Sequence, residues 1–221
     1  MKLFLRIVQT FLPAFLRKKE LKNLFEVTAS ALGCVAPSTD GMSVEECLAA
    51  YARFTRNEVD KLLESGAMAR IARERLFRAA REVGRRYRSL FGVSTMGEAA
   101  EVERFLYRCL AIDFEQTSPH EITMHKCFFS RFYSVDTCRI VSALDDGLFD
   151  GLSGGGRLLF TRRITEGNDC CKATVVHLGD PRREKRLSWG AAPAVRPSQK
   201  NSREGSTSQS LRPGSNSGRF P

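Results

Sequence analysis

No Cys-x-x-Cys pair occurs anywhere in the chain, which removes the usual spacing of a structural zinc site. No apolar run approaches the roughly 18–20 residues needed to span a bilayer, and no secretory cleavage signal precedes the cysteines. The cysteines number seven, which is odd, so free thiols in a reducing cytosol are the economical reading and a cytoplasmic location is expected. Zinc-finger spacing, an RNP-like string and a convincing helix-turn-helix are also missing. The run Gly154-Gly155-Gly156 is followed by no Lys-Ser/Thr and is therefore not a phosphate loop. A metal set drawn from His125, Cys127, Cys138 and Cys171 matches no established pattern, so neither a metal nor an organic cofactor is expected. There is no internal repeat.

What remains is a chain with the bulk for a core and an uneven charge. Its 221 residues are 42% hydrophobic, enough for one domain with appendages or two small ones. The net charge is +10, yet residues 181–221 carry nine Lys/Arg against two Glu, and residues 1–22 carry six against Glu20. The ends thus hold surpluses of seven and five, and residues 23–180 are left two charges negative. Basicity confined to the ends argues against nucleic acid as a partner; it is the mix of nucleophiles, acids and bases in residues 125–171 that points to a small molecule.

Three segments follow from the same pattern. In residues 1–40, Leu3, Phe4, Ile7, Val8, Phe11, Leu12, Phe15 and Leu16 recur at helical spacing beside Arg6, Arg17, Lys18 and Lys19. Such a helix either covers the core, with Pro13 kinking or restarting it, or makes weak membrane-surface contact through residues 1–22. Residues 41–180 hold the domain proper. Residues 181–221, rich in Ser, Gly, Pro and Arg, cannot bury enough apolar area to offset their ordering entropy and are expected to be disordered. Oligomeric state is not legible.

Within the domain the first half reads as helical. Ser43 is a natural N-cap with Glu46 three residues on. Ala72, Leu76, Ala79, Ala80, Val83, Tyr87 and Leu90 form an apolar stripe, the arginines of other faces pairing with Glu74 and Glu82, and Gly92 ends the helix. Another helix starts near Met96 and turns Ala99, Val102, Phe105, Leu106, Cys109 and Leu110 inward. Strands are expected at 121–129, about 157–165 and 170–178, the last two joined at Glu166-Gly167-Asn168-Asp169. Between the first two, Ser134 caps a helix bearing Cys138, Ser142 and Leu148, with Asp145 and Asp146 near its end. The sum is an α+β domain: a helical N-terminal half packed on a small antiparallel sheet.

The stretch from His125 to Cys171 concentrates the chemistry. His125 and Cys127, two apart on a strand, are expected on one face, where an imidazole can help form a thiolate. The plainer alternative is a buried thiol and a hydrogen-bonded histidine. Asp145, Asp146 and Asp150 cluster on the following helix. Arg162 and Arg163 are adjacent and point to opposite sides, so one can turn inward and take a carboxylate.

In order, Cys127, Asp145-Asp146, Arg162-Arg163-Ile164-Thr165 and Gly167-Asn168-Asp169-Cys170-Cys171 resemble the L-2-amino-thiazoline-4-carboxylic acid hydrolase family. In that family a cysteine-bearing strand precedes an Asp-containing helix and an arginine-to-cysteine hairpin. The Gly84-Arg85-Arg86-Tyr87-Arg88 run looks like its upstream helix, and the likeness covers roughly residues 50–178. Two features depart from it: Ser142 or Ala143 stands where a second cysteine is common, and Lys172-Ala173 replaces an acidic-aromatic pair. The resemblance implies hydrolytic opening of a cyclic, amidine-like C–N bond in a thiazoline carboxylate related to cysteine. In the implied roles Cys127 attacks or positions the C2 carbon, His125 handles protons, and Asp146 or Asp145 activates water or holds the exocyclic amine. Arg162 or Arg163 takes the carboxylate, and Gly167, Asn168 and Cys171 complete the substrate side. Direct attack by an aspartate-activated water, with the cysteines only shaping the pocket, is the second mechanism. A ligand-binding or sensory domain that keeps the scaffold without catalysis is the alternative function.

Overall fold

The computed structural model describes residues 12–118 and 120–177. The apolar residues before Leu12 and the tail from residue 181 lie outside the described residues, as do the expectations attached to them. Among the described residues no helix is long and apolar enough to cross a membrane.

The fold is α+β: helices cover one face of a four-stranded antiparallel sheet of order β1-β2-β4-β3. Pro13 N-caps α1 (Ala14–Leu32), which inserts Leu21 and Phe25 into the core. α2 (Val44–Leu63) opens with the expected capping box: Glu46 N–H donates to Ser43 Oγ at 3.2 Å, and Ser43 N–H to Glu46 Oε2 at 2.7 Å. α3 (Gly66–Phe91) ends at Gly92, whose φ of 59° closes the last turn in the left-handed region. Its stripe buries Ala72, Leu76, Ala80 and Val83, but Leu90 at the end points into solvent, 74% exposed. Arg78–Glu74 and Arg85–Glu82 pair on the outer face as the spacing predicts. α4 (Met96–Cys109) carries a second capping box, Thr95 with Glu98.

Among the described residues there are four strands rather than three. β1 (Ile112–Ser118) alternates buried Ile112 and Phe114 with exposed Asp113 and Glu115, a period-two signal lost behind the preceding helix. β2 spans Glu121–Cys127, β3 Gly156–Arg162 and β4 Cys171–His177, all shorter than their expected ranges. Tyr51, Tyr107 and Phe149 fill the space between helices and sheet, each 1% exposed, against Ile122, Met124, Leu158, Ala173 and Val175. Burying each such ring contributes about 2 kcal/mol.

The expected single helix after Ser134 is two. α5 (Val135–Val141) stops, and α6 (Ala143–Ser153) begins afresh after Ser142. Asp145 and Asp146 therefore stand in a first turn, where their charge suits the helix dipole, not near an end where it would oppose it. α6 crosses α3 at backbone contact: a Cβ on Gly147 would strike the Phe77 carbonyl, and one on Gly151 the Arg81 carbonyl. That closeness fixes the depth at which the aspartates sit.

Candidate functional site

Two β-bulges decide which side chains face inward. Asp113 pairs with Lys126 and Phe114 with Met124, so His125 is an extra residue without a partner on β1. The bulge resets the alternation, and Cys127 joins Met124 on the inner face. His125 stays outside, where its Nε2 lies 3.3 Å from Glu115 Oε2. The expected base-beside-thiol arrangement is therefore not formed. A second bulge falls at Thr161, since Phe160 pairs with Ala173 and Arg162 with Lys172. It leaves Arg162 exposed on the outer face and turns Arg163 in, which resolves the choice between the two arginines.

Cys127, Asp145, Arg163 and Cys171 line one cavity of about 80 Å³ beneath the sheet, together with Cys138 and Ser142. Four of the nine expected site residues thus converge on it. Gly167 and Asn168 do not line the cavity, but they shape the hairpin that does. Gly167 takes φ 88° in the turn, and Asn168 Nδ2 donates to the Arg163 carbonyl at 2.9 Å.

Asp146 has another job. Arg157 holds its two oxygens through Nε and Nη2, and its Oδ1 also accepts the Leu158 N–H at 3.0 Å. β3 is an edge strand, so this N–H would otherwise face outward without a ladder partner. Asp150 is likewise held by Arg81 Nε at 2.5 Å. Asp145 instead accepts from the Tyr107 hydroxyl at 2.8 Å. Burial raises its carboxyl from the ordinary 3.8 to about 6, against the pull of the Tyr107 hydrogen bond and the Arg163 charge.

Arg163 is poised for an anion. Its side chain is 13% exposed and stacks over Phe160 at 4.9 Å, with Nη2 3.4 Å from Ser142 Oγ and Nη1 3.8 Å from Glu166. Its Nε is buried and has no hydrogen-bond partner among the described residues. Ser142 thus lies on the cavity wall against this guanidinium.

The thiols are poor nucleophiles as they stand. Burial pushes Cys127 up to about 12 despite opposing backbone N–H groups at Phe129 and Ser130. Cys171, which accepts the Ile164 N–H at 3.3 Å, is pushed up to about 11, again by burial. Among the described residues no three His, Cys, Asp or Glu side chains gather as a metal-binding group.

Tyr107 and Glu103 behind Asp145 are the residues that sequence reasoning missed. A signal existed: Glu103 interrupts the apolar stripe of α4 between Val102 and Leu106, a core position for an acid. No family model matches the chain, and no curated protein matches it. The likeness to the thiazoline hydrolases rests on the short motifs alone.

Proposed function

We propose that this protein is a hydrolase that opens a cyclic, amidine-like C–N bond of a small thiazoline carboxylate such as L-2-amino-thiazoline-4-carboxylate. One observation carries the reading: Arg163, with a buried nitrogen that has no partner among the described residues, and Asp145, with a carboxyl raised to about 6, line the same small cavity. Arg163 takes the substrate carboxylate. Ionised Asp145 removes a proton from water as the water oxygen bonds to C2. The ring nitrogen gains the C2=N electron pair and takes that proton from Asp145. Asp145 then removes the C2 hydroxyl proton as C2=O forms and the C2–N bond breaks, and passes it to the departing nitrogen, so one water is consumed and the base is restored.

The surroundings of Cys127 favour this route over thiolate attack. A thiol at about 12 is ionised to only about one part in 10⁵ at neutral pH, and His125 lies on the other face of the sheet. The cysteines then supply a compact, weakly polar wall. The test is ring opening followed by mass, with wild-type protein beside Asp145→Asn. Turnover lost in the variant supports the reading. Folded wild-type protein that binds the compound without converting it would instead indicate a ligand-binding domain on this scaffold.

A further inference from the structure

Glu103 lies four residues before Tyr107 on α4, so both side chains leave the same face of the helix. Glu103 is 0% exposed, and among the described residues neither carboxyl oxygen has a hydrogen-bond partner. Buried polar groups in native folds are nearly always satisfied, so an orphaned carboxyl beside a candidate active site calls for a cause. Its nearby polar group is the Tyr107 hydroxyl. A phenol has one proton to give, and Tyr107 gives it to Asp145 Oδ1. What the Tyr107 oxygen has left is acceptor capacity, which only a protonated carboxyl can fill.

We infer that Glu103 is a neutral carboxylic acid that donates to the Tyr107 oxygen, so that Glu103, Tyr107 and Asp145 form a chain of donors directed at the base. The chain is reversible. Once Asp145 has taken a proton, its O–H can donate to Tyr107, and Tyr107 in turn to the Glu103 carbonyl oxygen. Both protonation states of Asp145 therefore keep a partner, and Glu103 acts as a positioning residue through Tyr107.

The remaining groups around Asp145 are consistent with a neutral Glu103. Asp146 adjoins it on α6, and Tyr51 faces it from α2. Cys127, Cys138 and Cys171 come from β2, α5 and β4, and Arg163 from the end of β3. A second cavity behind Asp145 adds Glu20 of α1 and Tyr87 of α3, already joined to each other by a hydrogen bond. Arg163 is the one cation in this set, and it stands on the substrate side. A second full charge at Glu103 would have Asp145 and Asp146 as neighbours and no donor of its own, and burial holds its carboxyl well above the usual range.

The catalytic consequence rests on the hydrolase reading; the chain itself does not. The experiment is a carboxyl carbon NMR titration of Asp145 in the full-length protein, comparing wild type with Glu103→Gln, Glu103→Leu and Tyr107→Phe. Circular dichroism checks that each variant is folded. Glutamine is a neutral donor and acceptor, so Glu103→Gln is expected to leave the Asp145 midpoint in place. Glu103→Leu removes the donor and is expected to raise the midpoint by about half a unit to one unit, and Tyr107→Phe by at least as much. A midpoint lowered by about one unit or more in Glu103→Gln would show that a charge had been removed, and overturns the proposal. A midpoint in Glu103→Leu equal to wild type overturns it too, since Glu103 would then only fill space. If Asp145→Asn leaves turnover untouched, the hydrolase reading falls while the titration still decides the chain.

Discussion

Arg157 holds Asp146 in a two-pronged grip, Nε to Oδ1 at 2.8 Å and Nη2 to Oδ2 at 2.5 Å. That grip separates two adjacent aspartates into different roles: Asp146 ties the start of α6 to the edge strand β3, while Asp145 faces the cavity. Asp146→Asn should therefore act on stability. It leaves the Arg157 guanidinium and the Leu158 N–H without their charged partner and is expected to cost about 2–3 kcal/mol, less than a fully buried pair because Arg157 is part-exposed. Asp145→Asn should act on chemistry, lowering turnover by about 10²–10⁴-fold with little loss of stability. Urea unfolding and steady-state assays on both variants check the division, and swapped effects would refute it.

The pH dependence of the protein should carry the mark of Asp145. Its folded value, about 6, lies above the ordinary 3.8, so the fold favours the protonated form. The stability this contributes is fully present below the unfolded value and is lost as pH rises through about 6. Between pH 4 and 7 the wild type should lose about 2.4 kcal/mol relative to Asp145→Asn. Catalysis runs the other way, because the base must be ionised. An acid limb in kcat/KM with a midpoint near 6 is expected, and its absence would remove Asp145 as the base.

The sheet shows where local reading ends. Ser43 with Glu46, Gly92 and the Gly167 turn are encoded within a few residues, and each was legible. The facing of Cys127 and Arg163 was not, because a bulge depends on register with a partner strand far along the chain. Strict alternation put His125 beside Cys127 and gave no ground to choose between Arg162 and Arg163. One extra residue in each strand changed both outcomes. β1 was hidden for a simpler reason, since only Leu110 and Ala111 separate its alternation from the last turn of α4.

Cys127 should be replaceable. With its thiol pushed up to about 12, alkylation by iodoacetamide at pH 8 should be far slower than at an ordinary exposed thiol. Cys127→Ser keeps the shape of the wall and should retain turnover to within about tenfold. A nucleophile at this position would instead lose several orders of magnitude. Peptide mapping of the alkylated protein and the assay of the serine variant are independent checks, and rapid labelling of Cys127 would revive thiolate attack.

The crossing of α3 and α6 gives the last expectation. At Gly151 an added Cβ would meet the Arg81 carbonyl, the Arg85 nitrogen at 2.7 Å and the Gly84 carbonyl carbon at 2.9 Å. These are backbone atoms that cannot turn aside, so the helices must separate. Gly151→Ala should destabilise the protein by about 1–3 kcal/mol, the usual range for overpacking. Because α6 also carries Asp145, the displacement should reach the cavity and lower turnover. Gly97 is the matched control: it lies in α4 with nothing within 4 Å of a Cβ. Gly97→Ala should be neutral or stabilising by up to about 1 kcal/mol through helix propensity. Denaturant midpoints for the pair measure the contrast, and equal effects at both positions would mean that the glycine contact does not set the position of α6.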